Sequence, residues 1–187
     1  MEFPMRITQV LFCILLLTGC SPMKTDSLSQ QGPALKIEEF FQGKVYAWGI
    51  FEDRFGNLRR QFQVEIDGDW NGERLILDER FLYGDGERDQ RIWTITPTGA
   101  GQYEGQADDI IGTAQGVSDG NQLNWRYRMD LKVGDGSWRV TFDDWMYLQP
   151  GNVLVNKAEV RKWGVQLGVV TLFFIHADQL KQAPFSL

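Results

Sequence analysis

Cysteine is almost absent. Both cysteines, Cys13 and Cys20, fall within the first twenty residues. The body of the chain therefore has no disulfide framework, no cysteine-based zinc site and no thiol nucleophile. Histidine is scarcer still. His176 is the only one, which excludes a histidine-based metal cluster. A lone histidine at a strand end reads as structural or solvated rather than as a haem ligand, so no cofactor is implied. Lys/Arg runs are missing and the formal net charge is −6. A nucleic-acid groove needs a basic face, so nucleic acid is not an expected partner. No Gly-x-Ser-x-Gly, Walker A loop or dinucleotide fingerprint occurs. "GDGERD" carries Asp85, Glu87 and Asp89 but lacks the calcium-loop spacing, and it reads as a solvated hairpin loop. No apolar run reaches the ~20 residues of a membrane-spanning helix.

Present instead are 20 glycines, only 6 prolines and many aromatics, which suits a β-rich domain with tight turns. The chain opens "MEFPMRITQVLFCILLLTGCSPMK". Arg6 precedes an apolar run over residues 7–17, the pattern of a secretory signal. The run ends in Leu17-Thr18-Gly19-Cys20, which resembles the bacterial lipobox. That resemblance implies cleavage after residue 19 and acylation of Cys20. Ser21 rather than Asp follows, which under the sorting rule of such lipoproteins directs the protein to the outer membrane, facing the periplasm. The expected attachment is thus to the membrane of a bacterial cell envelope, through several acyl chains. Residues 20–35 read as a polar tether that holds the domain on the order of 20 Å from the lipid. A single domain occupies residues 36–187.

Within that domain, strand-like runs alternate with turn signals at Gly56-Asn57, Asn71-Gly72, Asp85-Gly86, Thr98-Gly99, Asp119-Gly120, Asp135-Gly136 and Pro150-Gly151. A short helical turn fits residues 36–41. Leu123, Trp125, Tyr127, Met129, Leu131 and Val133 share one parity, and Asn124, Arg126, Arg128, Asp130 and Lys132 the other. One face is buried and the other wet. The expected fold is all-β, an antiparallel up-and-down meander of nine or ten strands closing into a lipocalin-like β-barrel. A β-sandwich is the alternative. Residues 169–175, "VVTLFFI", read as a strand buried on both faces or, alternatively, as a partner- or lipid-facing surface. The last eleven residues read as a loose end.

The stretches "FQGKVYAWGIF", "LILDERFLYGDGERDQRIWTI", "VTFDDWMYLQPGNVLVNKAEV" and "KWGVQLGVVTLFF" resemble a bacterial lipoprotein family of unknown function. The resemblance implies a lipocalin-like barrel on a lipid anchor and no particular activity. In lipocalins a tryptophan in the first strand closes the barrel floor. Trp48 would take that place, although Gly43 and Trp48 are spaced more widely than in that family.

Two acids stand side by side in "RVTFDDWMYL". The pleat sends Asp143 and Asp144 to opposite faces, so they cannot act as one pair. An Asp135-Gly136 turn would set Met129 opposite Phe142 and Leu131 opposite Val140. It would set Arg128 opposite Asp143 on the wet face and Tyr127 opposite Asp144 inside. Asn156 or Lys157 would flank Asp144 on its other side. An Asn71-Gly72 turn likewise pairs Phe62 with Phe81 and puts Glu79 inside, opposite Val64, where Arg91 would be its ion-pair partner. The expected interior set is Trp48, Glu79, Arg91, Trp93, Trp125, Tyr127, Phe142 and Asp144, with Trp145 outside. Such a set is either a satisfied polar network that fixes register or a cavity with polar anchors for an apolar or amphiphilic ligand, a lipid included. No catalytic residue is assigned. The alternatives are a structural envelope protein with a filled barrel, and an enzyme acting on an envelope lipid or glycan through Asp144 and Glu79.

Overall fold

The structure is a computed structural model that describes residues 32–133 and 136–187. The signal-like segment, Cys20, most of the tether and Asp135 lie outside the described residues. A short helix α1 (Ile37–Phe40) leads into ten strands: β1 (Gly43–Asp53), β2 (Leu58–Trp70), β3 (Leu75–Tyr83), β4 (Arg88–Gly99) and β5 (Gln102–Gln106), then β6 (Ala114–Asp119), β7 (Gln122–Val133), β8 (Gly136–Gln149), β9 (Val153–Lys162) and β10 (Val165–His176). Each strand pairs antiparallel with its sequence neighbours, and β1 pairs with β10 from Val45↔His176 to Asp53↔Gly168. The meander is therefore a closed barrel and not a sandwich, with no free sheet edge.

Alternation decides what goes inside. Val45 and Ala47 on β1, Val64 and Ile66 on β2, and Leu123 and Trp125 on β7 are buried. Two close approaches shape the interior. A Cβ on Gly105 would stand 2.4 Å from the Trp125 ring, and one on Gly116 2.5 Å from it, so the indole lies flat on the backbones of β5 and β6. At Gly68, a Cβ would fall 1.7 Å from the Phe41 carbonyl oxygen. Only glycine lets the segment after α1 cross β2 so tightly.

That segment closes one end. Leu35, Ile37, Phe40 and Phe41 are buried. The Leu35 amide donates to the Gly120 carbonyl at 2.8 Å, and Ser118 Oγ donates to the Leu35 carbonyl at 2.8 Å. Tyr103 donates its hydroxyl to Glu38 at 3.0 Å. His176 is hydrogen-bonded through Nε2 to the Phe40 carbonyl, which gives the only histidine a structural task. Among the described residues, the opposite end carries the loops that join β1 to β2, β3 to β4, β5 to β6 and β9 to β10.

Loop length corrects two expected registers without changing any face. The β2–β3 ladder ends at Trp70↔Leu75, so the loop has four residues rather than two. Asn71 stabilises it, its Oδ1 accepting from the amides of Glu73 at 2.9 Å and Arg74 at 2.8 Å. Phe62 consequently faces Tyr83, and Glu79 faces Ile66 rather than Val64. The β7–β8 ladder ends at Val133↔Gly136, one residue earlier than an Asp135-Gly136 turn requires. A one-residue shift of the loop moves cross-strand partners by two, which preserves parity. Tyr127 therefore faces Phe142, Trp125 faces Asp144, and Arg126, not Arg128, faces Asp143. The Arg126 guanidinium holds Asp143 at 2.9–3.0 Å and Asn124 donates to it at 2.7 Å.

Two further readings change on the outer wall. Residues 169–175 are not buried on both faces. Val170, Leu172 and Phe174 point into the barrel, while Phe173 points out and is 49% exposed. The C-terminal residues are not loose. Phe185 packs edge-on against Tyr46 and Trp48, with centroids 5.0 and 5.6 Å away. The Leu187 amide donates to Glu65 at 2.9 Å. Beneath this strap, Lys44 and Arg80 bridge Glu65 and Asp67.

Candidate functional site

The barrel encloses a cavity of about 350 Å³. It runs from Ile37 and Phe41 of the plug to Arg60, Tyr83, Asp89 and Lys132 at the other end. Asp89 and Lys132 are exposed, so that end communicates with solvent. Aromatic rings supply much of the wall. Trp93 meets Trp125 and Tyr127 edge-on at 5.7 and 5.4 Å, and Tyr127 stacks on Phe142 at 5.0 Å with planes 4° apart. These contacts follow from the register, since Tyr127 and Phe142 are direct cross-strand partners.

Of the eight expected interior residues, Glu79, Arg91, Trp93, Trp125, Tyr127, Phe142 and Asp144 all line this cavity. Trp48 does not. It is 37% exposed on the outer wall beneath Phe185. The interior parity of β1 belongs to Val45, Ala47, Gly49 and Phe51, and a single step in the pleat excludes Trp48. Trp145 lies outside, stacked with Tyr147.

The polar residues are arranged differently from the sequence expectation. Arg91 does face Glu79 across the ladder. Its guanidinium, however, grips Asp109 in a fork, with Nε at 3.0–3.1 Å and Nη2 at 2.7 Å from the carboxylate oxygens. Asp109 sits in the β5–β6 loop, which folds back onto β7 through the Ile110↔Met129 bridge and the Ile111 amide to the Arg128 carbonyl at 2.8 Å. With Arg91 turned to Asp109, Glu79 makes no salt bridge among the described residues and presents its side chain to the cavity. Burial raises its pKa to about 7, although the charge on Arg91 acts in the opposite direction.

Asp144 is 5% exposed and flanked by Trp125 and Ala158. Burial pushes its pKa up to about 8, against the opposing effects of the Asn156 amide and the Arg91 charge. Asn156, 3% exposed, comes from β9 on the same face. Lys157 points to solvent. Asp144 Oδ1 and Asn156 Oδ1 are buried without a hydrogen-bond partner. Tyr127 beside them is held far above its ordinary pKa by burial and by the neighbouring Asp144.

Chemically, the arrangement is an apolar, aromatic chamber with a small acceptor-rich polar group in its wall and the Arg91 guanidinium neutralised by Asp109. Among the described residues no cluster of His, Cys, Asp and Glu is placed to hold a metal ion.

Fold and chamber together define a closed ten-stranded antiparallel barrel built around a polar-footed internal cavity. The chain matches the family model described as protein of unknown function DUF3833 over residues 14–176, and it belongs to that family. No curated protein and no solved structure matches it.

Proposed function

We propose that this protein is a lipid-anchored envelope protein whose barrel binds or carries an apolar or amphiphilic small molecule, a single-chain lipid or one chain of a larger one. The observation that carries the reading is the cavity. At about 350 Å³, lined by aromatics and containing buried acceptors without partners, it fits the pattern of small-molecule sites of about 300–1,000 Å³ with a few polar anchors. A barrel serving only as a structural element would fill that space with side chains. The anchor reading rests on the lipobox-like Leu17-Thr18-Gly19-Cys20, which falls inside the family match.

Native mass spectrometry of protein extracted from its own membrane in mild detergent tests the ligand reading. A bound mass that survives purification and is removed by denaturation supports it. A uniformly bare barrel that also fails to take up an apolar fluorophore refutes it. For the anchor, Cys20→Ser should leave unprocessed or soluble protein, and a mature membrane-attached form of that variant would refute lipidation.

A second reading rests on two carboxyls of raised pKa lining one cavity, an arrangement suited to acid–base chemistry on the bound molecule. In that case Asp144→Asn and Glu79→Gln would abolish turnover of the extracted ligand while retaining its binding.

A further inference from the structure

We propose that the ligand's deep end carries a hydrogen-bond donor, a hydroxyl or an ammonium, and that Asp144 and Asn156 receive it. This deepens the ligand-binding reading and rests on it.

The inference starts from the strand pattern. β8 turns Asp144 inward where Ala158, a small side chain, is its partner on β9, which leaves room beside the carboxyl. β9 turns Asn156 to the same face. The two side chains therefore converge on one patch of cavity wall, and each keeps an oxygen with no partner among the described residues. An amide oxygen is an acceptor, and so is an ionised carboxylate. A buried acceptor without a partner is costly, and a matching donor removes that cost.

The cation nearest the patch is committed. Arg91 spends its fork on Asp109. Tyr127, which also lines the cavity, keeps a neutral hydroxyl beside the patch. The remaining charged group facing the patch from within the cavity is Glu79, another acid, and Asp143 on the far face of β8 is anionic and held by Arg126. The wall around the patch thus offers acceptors and two acidic side chains, with no unpaired cation beside them. A carboxylate or phosphate placed there would be buried as an anion with no counter-charge. An alcohol would satisfy both oxygens in turn, and an ammonium would hold Asp144 and Glu79 in their charged forms and pair with them.

The test uses the full chain and four dodecyl probes of equal length: the alcohol, the amine, the carboxylate and the hydrocarbon. Each competes against a bound apolar fluorophore, with quenching of the cavity tryptophans as a second readout. We expect the alcohol and the amine to displace the fluorophore at about tenfold to hundredfold lower concentration than the carboxylate or the hydrocarbon, the worth of satisfying a buried acceptor otherwise left unpaired. Asn156→Leu and Asp144→Leu, each verified as folded by circular dichroism, should erase that preference while still binding the fluorophore. An amine stronger than the alcohol assigns a cationic head, and equal strength assigns a neutral one. Carboxylate binding as tight as the alcohol's overturns the inference, as does a preference that survives both variants. That second result would mean the two oxygens serve bound water only. A fluorophore that does not bind at all overturns the ligand reading itself, and this inference with it.

Discussion

The plugged end of the barrel and its mouth are held together in different ways. At the plug, apolar side chains from residues 35–41 are buried, and the hydrogen bonds there join residues far apart in sequence: Leu35 to Gly120, Glu38 to Tyr103, Phe40 to His176. At the mouth the contacts are ionic and closer in sequence. The Arg60 guanidinium lies 3.5 Å over the Tyr83 ring and pairs with Asp85 at 3.0 Å and with Glu87. Arg139 pairs with Asp130 across its own hairpin at 3.1 Å. Phe55 and Trp163 stand exposed on loop tips there. Burial of apolar area stabilises far more than partly exposed ion pairs do. The fold therefore concentrates its stability at the plug and leaves the mouth weakly held, as a site that admits a molecule requires.

The largest effect should come from emptying the plug. Phe41→Ala should lower unfolding stability by about 3–5 kcal/mol in urea titration. If the loss is no larger than for a surface residue, the plug is not what holds that end.

The interior acids, between the two ends, should give an intermediate effect with a distinctive pH signature. Burial raises Asp144 to about 8 and Glu79 to about 7, against an unfolded value of about 4. The folded barrel thus holds these protons more tightly than the unfolded chain. The stability tied to their neutral forms is complete below about pH 4. It is lost progressively as the pH rises to about 8. Asp144→Asn should flatten that decline and be more stable than the parent by on the order of 3 kcal/mol at pH 9, with little difference at pH 4. Parallel pH profiles for the two proteins would show that Asp144 is not buried as described.

The smallest effect belongs to the mouth. Arg60→Ala should cost less than about 1 kcal/mol in the same titration, while speeding the uptake of an apolar fluorophore in stopped-flow mixing. A stability loss matching that of Phe41→Ala would erase the distinction between the ends.

These ends were not equally legible in the sequence. Period-two alternation is a local property, and it placed Trp93, Trp125, Tyr127, Phe142, Asp144 and Glu79 on the cavity face from their neighbours alone. Register was not legible, because it depends on where each ladder stops. The four-residue loop capped by Asn71 and the last pair Val133↔Gly136 cannot be told from other spacings of the same glycines. Trp48 was misplaced because its position came from another family's motif rather than from the parity of Val45 and Ala47. Asp109 gave no local signal. It reaches Arg91 only because the β5–β6 loop folds back, and nothing in "QADDIIG" distinguishes it from a solvated acid. The β9–β10 turn at Trp163-Gly164 was missed because its first residue is a tryptophan. Trp163 adopts φ 52°, a backbone region where asparagine or glycine is the usual signal.

The ladder between β1 and β10 has a consequence for synthesis. Every other pairing joins strands adjacent in the chain, so hairpins can form as the polypeptide lengthens. β1 must wait for the last strand to be made, with one edge unpaired until then. Closing the longest loop is the slowest kind of pairing, and an edge left open is a place where another chain can add. The interior comes into being only at that final step. A product stopped anywhere within β10 would be an open sheet with a greasy face and two bare edges, not a smaller barrel.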